Sequence, residues 1–453
     1  MEYSKLLDKY EELVKKAERD LWKMPEVGFK EFKTNQYMVE AFERLGYKLE
    51  RPEDVTGFYT VVDTGKAGPT VLVLAELDAL YCTTHPECDK ETGAVHACGH
   101  HAQLAAMLGL AACLKEENAL DGLCGRIKLC VVPAEEGIEI NWRTGLIKDK
   151  VLTFASGKPE FLARGYFDDV DIAMMVHISS EYASPIVYNI KQGSNGNIKK
   201  RVEIKGKASH AGEAPFLGVN ALNAATLALS AVHTLRETFQ EKDHVRFHGI
   251  IASGGKSVNT VPDEIVLECY VRAGNAKALK QANERINLAI AAAVSANGCV
   301  AKITDNPGSA PLKNDENFVA LAVDVFRELV GDNYKDDRKE WKSSSTDMGD
   351  LSCVFPVIHP YVMGAVGSLH GDNFYVKDAK IACLESARFQ YALIRALLSN
   401  AAEKANFIIK NYKREYSIQE FLESKKSIYM DKDVVRIEND GTVVLDYKNS
   451  PTK

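Results

Sequence analysis

Three short apolar segments, each followed by a side chain that can bind a ligand, constrain the fold of this 453-residue chain most strongly. Residues 70–75, 126–133 and 171–176 are rich in aliphatic side chains, as buried strands of a parallel sheet are. Acidic or imidazole side chains follow within three residues of their ends: Asp78, the pair Glu135–Glu136, and His177. Because the carboxyl ends of such strands meet at one ligand-binding edge, we expect these side chains to lie together. The alternation with helical segments predicts a doubly wound mixed sheet in an α/β domain.

A different pattern begins near residue 190. Strand and helix segments follow in the order strand, helix, strand, strand, helix, strand: 199–205, 219–235, 246–252, 265–272, 276–296 and 300–304. This βαββαβ order predicts a small ferredoxin-like domain inserted into the first. We therefore expect a catalytic domain of residues 1–189 and 311–410, an inserted domain of residues 190–310, and a C-terminal extension of residues 411–453 without an assigned role.

Residues 95–103 combine one thiol and three imidazoles within six positions: His96, Cys98, His100 and His101. Thiolate and imidazole are ligands for zinc and its neighbours among the transition metals, and burying four such groups for packing alone would be costly. Cys98 and His100 can face one ion only if Gly99 adopts an unusual backbone conformation. The alternative is a buried free cysteine among ordinary histidines, but the downstream acidic pair favours a metal site. The other two histidines are assigned to packing or to orienting the ligands.

The pair Glu135–Glu136 ends an apolar strand, which makes a solvated acidic turn the weaker interpretation. Adjacent carboxylates in a turn can diverge, one toward a metal ion and the other toward a water molecule. Amide hydrolysis needs a base beside such a water, whose pKa zinc lowers to about 7. Asp78 either bridges metal ions or orients a ligand, and the sequence leaves both roles open.

Charge and composition exclude several functional classes. A net charge of -7, with a pI near 6.0 and no basic cluster, argues against a nucleic-acid-binding surface. No apolar stretch has the length of a membrane span, and the charged N-terminal residues lack the apolar core of a signal peptide. The ten cysteines are scattered through apolar segments, which predicts reduced thiols and a cytoplasmic protein.

Two other functions compete with a metal-dependent hydrolase. In the first, Cys98 acts as a nucleophile with His100 as its base. That chemistry leaves four residues without a role: Glu135, Glu136, His177 and His370. In the second, the chain is a catalytically retired metal-binding or scaffold protein, an interpretation weakened by the presence of both a base and ligands.

The motifs resemble those of the aminoacylase-like metallopeptidase and amidohydrolase superfamily, which includes aminobenzoyl-glutamate hydrolase, β-alanyl-lysine dipeptidase and auxin-conjugate hydrolases. The resemblance covers about residues 10–400 and rests on these segments: 24–29, 77–80, 96–100, 133–137, 174–177, 208–212 and 259–262. It implies an enzyme that cleaves an amide bond, peptide or N-acyl, in a small carboxylate-bearing substrate. Such substrates include N-acyl amino acids, dipeptides and aminobenzoyl-glutamate-like conjugates.

The resemblance also implies a cofactor and roles for individual residues. Two divalent ions per subunit, Zn²⁺ or Mn²⁺ with Co²⁺ and Ni²⁺ as further candidates, would have five ligands: Cys98, His100, Glu136, His177 and His370. Glu135 matches the general base that acts on metal-activated water. His210, on the inserted domain, matches a histidine that reaches the substrate carbonyl, often from the partner subunit. Asn259 and Arg272 match residues that hold the substrate carboxylate.

The implied assembly is a homodimer formed through the inserted domain, which also serves as a lid over the site. The chain departs from the family pattern in two places, one of them the segment 137–163, which differs from the compact stretch of auxin-conjugate hydrolases. Relatives usually continue the Cys-Gly-His motif with Asp or Asn, whereas this chain has His101.

Overall fold

The computed structural model describes residues 3–181 and 184–448, so the outermost residues of the predicted first domain and C-terminal extension lie outside it. The helices are α1 (Glu11–Trp22), α2 (Phe32–Arg44), α3 (His100–Cys113), α4 (Ile140–Lys148), α5 (Gly157–Ala163), α6 (Ala221–Thr234), α7 (Ala276–Ala296), α8 (Glu316–Val330), α9 (Met348–Leu351), α10 (Ser386–Asn411) and α11 (Ile418–Lys426). None of the helices in the described ranges is long and apolar enough to cross a membrane.

The strands of the first half are β1 (Phe58–Asp63), β2 (Thr70–Glu76), β3 (Leu80–Tyr81), β4 (Ala94–Val95), β5 (Arg126–Val132), β6 (Ile172–Met175), β7 (His177–Ile178), β8 (Tyr188–Ser194), β9 (Gly196–Lys205) and β10 (Arg246–Ser253). Those of the second half are β11 (Glu264–Ala273), β12 (Val300–Pro307), β13 (Leu312–Lys313), β14 (Tyr334–Lys342), β15 (Val357–Ile358), β16 (Tyr361–Val362), β17 (Ala365–Val366), β18 (Tyr375–Val376), β19 (Met430–Ile437) and β20 (Val443–Leu445). The fold is mixed α/β with several sheets.

Contacts along the chain divide it into two compact units. The first comprises Met1–Gly193, Lys313–Trp341 and Asp350–Ile418; the second comprises Ser194–Leu312, Lys342–Gly349 and Gln419–Lys453. Each unit has its own cluster of buried apolar side chains.

The first unit is built on a mixed sheet with the strand order β1-β5-β2-β6-β15. Strand β1 is antiparallel to β5, whereas β2 pairs in parallel with both β5 and β6. Every residue of β2 and β6 is buried, because helices cover both faces of a parallel sheet. The register sets Glu76 opposite Val132 and Leu74 opposite Met175, so the carboxyl ends of the three strands lie side by side.

Helix α3 buries all of its residues and follows directly from the Cys98-Gly99 turn. It packs closely on α1, where a Cβ added to Gly109 would lie 2.5 Å from Cγ1 of Val14. An apolar helix in this position fits its composition, since a helix that is apolar on all sides is stable only when neighbours surround it.

Strand β6 ends at Met175, two residues before His177. The sequence predicted that this strand would end in His177. Instead, His177 opens the short strand β7, which pairs in parallel with β16 as part of a different sheet. The backbone of His177 is thus held by strand pairing and is not part of a loop.

The second unit contains elements in the order β9-α6-β10-β11-α7-β12, the βαββαβ order. Its sheet continues beyond these elements, with the strand order β10-β11-β9-β12-β19-β20. Strand β19 pairs antiparallel with β12, and its residues Met430, Val434 and Val435 join the buried cluster of this unit. The C-terminal extension, which had no assigned role, therefore contributes β19 and β20 to the second sheet.

Candidate metal centre

Ligand-type side chains of the first unit converge in three overlapping groups. Within each group, one donor atom per residue lies within 4.8 Å of the others: Cys98, His100 and His177; Cys98, Glu136 and His370; Glu76, His100 and Glu135. The five predicted ligands and the predicted base are thus brought together in one cluster, as expected from the strand ends. The third group adds Glu76, which the sequence analysis did not select.

The turn at Gly99 brings the Cys98 and His100 side chains to the same place. Gly99 has a φ of 92°, in the left-handed region, and α3 begins at the next residue. A Cβ at this position would lie only 2.1 Å from Cγ2 of Ile178. The predicted need for an unusual glycine conformation is confirmed, and no larger residue fits without moving Ile178.

Hydrogen bonds to backbone carbonyls fix two of the imidazoles. Nδ1 of His100 lies 2.8 Å from the Asp78 carbonyl oxygen, and Nδ1 of His177 lies 2.8 Å from that of Ile178. Because a carbonyl oxygen only accepts, each Nδ1 donates its hydrogen there, which leaves Nε2 of each ring as the nitrogen available to a metal ion. Among the described residues, the buried Nε2 of His100 has no hydrogen-bond partner. Both rings are therefore oriented as metal-binding histidines are.

The turn that carries Glu135 and Glu136 is held by side chains from three other segments. Ala134 has a φ of 54°, and its N–H donates to Oε1 of Glu31 (2.9 Å). The Glu136 N–H donates to Oδ2 of Asp78 (2.8 Å), and the buried Arg143 donates through Nη1 to the Glu136 carbonyl (2.8 Å). Of the two roles left open for Asp78, these contacts favour orientation over bridging.

His370 reaches the cluster from the loop between β17 and β18. Its φ of 63° is unusual for a residue with a side chain, and its N–H donates to the Ala97 carbonyl (2.9 Å). Nε2 of His370 lies 3.1 Å from Oε1 of Glu136. A locally strained backbone held by a specific hydrogen bond is frequent at functional sites.

The electrostatics of the cluster distinguish Cys98 from other buried thiols. Burial and the Glu136 carboxylate oppose ionisation of Cys98, but the imidazoles of His100 and His177 outweigh them and lower the pKa of the thiol to about 6. Burial instead raises the pKa of Cys113 to about 12 and that of Cys269 to about 11. Cys98 is thus poised as a thiolate, the form that binds metals.

The spacing of the donors fits divalent metal ions. Two atoms bound to one ion, with bonds of about 2.0–2.3 Å and angles of about 90–110°, lie roughly 2.8–3.6 Å apart. Sγ of Cys98 is 3.5 Å from Nε2 of His177, and the Glu136–His370 pair is separated by 3.1 Å. In the part of the chain described, Oε1 of Glu136 is a further buried atom without a hydrogen-bond partner. The donors would therefore be satisfied by ions bound among them.

Glu76 is the residue that the sequence analysis missed. It is the last residue of β2, fully buried, and its Oε2 lies 3.1 Å from Nε2 of His100. Its Oε1 is ion-paired with the buried Lys158. Alternate strand residues point to the same face, so the position of Glu76 two residues before Asp78 was an available signal. No local pattern predicted the role of Lys158, which lies 82 residues after Glu76 in the sequence.

His96 and His101 lie beside the cluster but belong to none of its donor groups. Both are buried, and their rings are 5.3 Å apart. The His101 ring also packs edge-on against Trp22 at 5.0 Å, and its Nε2 lies 3.3 Å from Oε1 of Glu18. These contacts agree with packing or support and not with metal binding.

The remaining predicted residues belong to the second unit. His210 forms an isolated β-bridge with Thr260, and the neighbouring Ala211 N–H donates to the Asn259 carbonyl (2.9 Å). The segments that carry His210 and Asn259 therefore lie side by side. The side chains of both are exposed. Arg272 lies elsewhere, on β11, where its guanidinium donates to Oγ of Ser345 (2.8 Å).

Comparison with known proteins agrees with the fold and the cluster. Residues 72–396 match the family described as Peptidase family M20/M25/M40. The chain is 29% identical over 394 residues to the Xaa-Arg dipeptidase of Homo sapiens, covering 82% of this chain and 81% of that enzyme. It is 28% identical over 314 residues to the N-acetyl-L-cysteine deacetylase of Bacillus subtilis, covering 68% of this chain and 70% of that protein.

A solved structure supports the same fold. The crystal structure of the Bacillus subtilis YXEP protein, described as a dinuclear metal-binding peptidase of the M20 family, matches with a TM-score of 0.66 and 19% identity. The match covers 86% of this chain and 99% of that protein. The superfamily resemblance inferred from the motifs is confirmed. The chain is therefore a hydrolase of amide or peptide bonds that belongs to the peptidase family M20/M25/M40.

Proposed function

We propose that the first unit binds two divalent ions, zinc or manganese, and hydrolyses the amide bond of a small substrate that carries a carboxylate. The observation that carries this proposal is the sharing of Cys98 between two donor groups, one completed by His100 and His177 and the other by Glu136 and His370. A thiolate with lone pairs to spare can serve two ions at once. When bound, such ions polarise a carbonyl group and lower the pKa of water.

Glu135 is the proposed general base. It precedes the proposed ligand Glu136 in a turn fixed by Glu31, Asp78 and Arg143, and one of its carboxylate oxygens lies within 4.8 Å of a donor atom of His100. In this role Glu135 takes a proton from the attacking water and returns it to the departing amine. The rigid turn matters because a base must stay within hydrogen-bonding reach of its proton.

The second unit is proposed to supply the contacts that complete the site. His210 would stabilise the oxyanion of the tetrahedral intermediate, while Asn259 and Arg272 would hold the substrate carboxylate. The βαββαβ unit is proposed to be a ferredoxin-like lid and the interface of a homodimer. The exposed edge strand β10 supports an interface, since Ile250 is 64% and Ile251 45% exposed there.

The proposed substrates are dipeptides, N-acyl amino acids and aminobenzoyl-glutamate-like conjugates. The names of the similar human dipeptidase and bacterial deacetylase support the first two classes. A protein similar over a shorter stretch is named as a subunit of p-aminobenzoyl-glutamate hydrolase, which supports the third. A pooled panel of these substrates, supplied with zinc or manganese and assayed for released amine, identifies the class.

Glu135→Gln tests the mechanism. The variant is expected to keep both ions, measured by elemental analysis, and to lose about 10²- to 10⁴-fold in turnover, because a positioned base contributes that much. Glu139→Gln is the matched control. This nearby carboxylate accepts from Lys30 (2.8 Å) and Tyr81 (3.0 Å) and belongs to none of the donor groups, so turnover should change little.

Two outcomes would overturn the proposal. Unchanged turnover in Glu135→Gln, accompanied by an acyl adduct on Cys98 detected by mass spectrometry, would establish the thiol as the nucleophile. Absence of turnover across the whole panel in the metal-loaded wild-type protein would instead indicate a retired binding protein.

A further inference from the structure

Glu76 occupies a position that packing does not explain. Its carboxylate is fully buried at the end of β2, inside the cluster of proposed ligands. Burying a carboxylate is expensive unless charged or polar partners compensate it. Which partners it has, and which of its oxygens each one uses, therefore indicates what the residue does.

One carboxylate oxygen of Glu76 is committed to the protein. Oε1 is ion-paired with Lys158, which is itself fully buried near the start of α5. That helix begins in direct contact with the end of β5, where a Cβ on Gly157 would lie 1.8 Å from the Pro133 carbonyl oxygen. The ammonium group is consequently held in a fixed place. Lys158 therefore compensates the charge of the Glu76 carboxylate and fixes its direction.

The other oxygen faces Nε2 of a proposed ligand. Oε2 accepts from Nε2 of Gln103 (3.0 Å), whose Oε1 in turn accepts from the Glu76 N–H (3.2 Å). The same Oε2 lies 3.1 Å from Nε2 of His100. His100 donates through Nδ1 to the Asp78 carbonyl, so its buried Nε2, which has no hydrogen-bond partner among the described residues, lies beside this carboxylate oxygen. A separation of 3.1 Å lies within the roughly 2.8–3.6 Å expected for two ligands of one ion.

We propose that Glu76 is a further metal ligand, bound through Oε2 to the same ion as His100 and held in position by Lys158 and Gln103. This inference rests on the proposed two-ion function and extends it. His100 belongs both to the donor group of Cys98 and His177 and to that of Glu76 and the proposed base Glu135. With Glu135 kept as the base, the ion at His100 would have four protein ligands: Cys98, His100, His177 and Glu76. The ion at His370 has three: Cys98, Glu136 and His370. Because a closed set of four is typical of tightly held ions and an open set of three is typical of catalytic ones, the two sites should differ in affinity.

The test measures zinc binding by metal-free protein, using a competing chromophoric chelator to obtain both affinities. Wild-type protein is expected to bind two ions with distinct affinities. Glu76→Gln alone would remove the carboxylate that is ion-paired with Lys158, so the informative variant is Glu76→Gln combined with Lys158→Met, which removes both charges and keeps similar volumes. We expect this double variant to bind the tighter ion about 10- to 100-fold more weakly, with the second affinity changed less.

A matched control removes a buried ion pair of the same chemistry from the second unit, Lys200→Met with Asp305→Asn. Both zinc affinities of that control should equal those of the wild-type protein. Wild-type affinities in the Glu76/Lys158 double variant would show that Glu76 only compensates Lys158, and would overturn this inference while leaving the proposed function intact. Failure of the wild-type protein to bind two ions would overturn the proposed function itself.

If the double variant does not fold, Glu76→Asp provides the same test. It keeps the charge that compensates Lys158 but withdraws the carboxylate from His100 by one methylene. Weakening of the tighter ion is again the expected result, and unchanged binding contradicts the proposal. Cobalt(II) added to the same proteins gives an independent readout. The intensity of its visible absorption reports coordination number, and the variant should change that of the first ion bound.

Discussion

Each of the two units buries a cluster of charged and polar side chains, and the clusters differ in where the positive charge comes from. In the second unit, Lys200 is ion-paired with Oδ1 of Asp305 and also donates to Asn287. The other oxygen of Asp305 accepts from Asn283 (2.7 Å) and Asn287 (3.2 Å). The chain itself supplies the cation, and both carboxylate oxygens have partners.

The cluster of the first unit is organised differently. Its thiol, carboxylates and imidazoles converge on one another, and Lys158 is ion-paired with Glu76 at one side of the cluster. Nε2 of His100 and Oε1 of Glu136, both within the described residues, are buried without a hydrogen-bond partner. A buried ion pair whose cation and anion both come from the chain is typical of a structural role. A thiol, carboxylates and imidazoles that converge on one another are instead a donor set that a metal cation from outside the chain would bind.

Lys200→Met provides the strongest test of this contrast. Removing the ammonium leaves Asp305 as an unpaired buried charge, so unfolding free energy measured in urea should fall by about 3–5 kcal/mol. Adding Asp305→Asn should recover most of that loss, because the remaining asparagines can still hydrogen-bond an amide. Zinc content should be unaffected in both variants. If Lys200→Met alone were as stable as wild type, the Lys200–Asp305 pair would not have the structural role assigned to it here.

Zinc itself should stabilise the first unit by a similar amount. An ion that binds only the folded protein stabilises it by about 4 kcal/mol at a free concentration 1,000 times its Kd. The comparison is between metal-free and zinc-loaded protein in thermal or urea unfolding. Cys98→Ser is expected to lose most of the gain, because it removes the ligand shared by both donor groups. An equal gain in that variant would place the zinc elsewhere.

The smallest effect concerns protonation of Cys98. Its pKa of about 6 in the folded protein lies below the ordinary value of 9.0, so the stabilising thiolate contribution is fully present above the ordinary pKa and is lost as pH falls through 6. In metal-free protein, alkylation of Cys98 by iodoacetamide should have its midpoint near pH 6 and decline about tenfold per unit below it. Bound zinc should protect the thiol. Alkylation measured by peptide mass spectrometry should leave Cys113 unmodified throughout, since burial raises the pKa of that thiol to about 12.

The sequence predicted much of the cluster because local patterns determine strand ends. Asp78 and Glu135 follow strands whose residues are nearly all buried, and parallel pairing then brings those ends together. The Gly99 conformation was likewise predictable, since the spacing of Cys98 and His100 requires it. In these cases the chemistry and the backbone constraint are only a few residues apart.

Other parts of the site depend on tertiary pairing that local patterns do not encode. Lys158 is 82 residues from Glu76 in the sequence, and the two are brought together only by tertiary packing. Arg143 likewise reaches the Glu136 carbonyl from α4. His177 was expected to end β6, but pairing with β16 places it in another sheet. The same reason applies to the C-terminal segment, whose partner β12 lies more than a hundred residues earlier in the chain.

That pairing of β19 with β12 makes the last strands a protective edge of the second unit. Their removal by a protease, or by truncation after α11, would expose the backbone of β12 from Ala301 to Asp305 and uncover the apolar cluster beneath Val434 and Val435. An uncovered edge strand is a template for association with other chains. A truncated protein could keep every proposed metal ligand and still aggregate. Resistance to aggregation therefore depends on residues that are distant in the sequence from the proposed metal ligands.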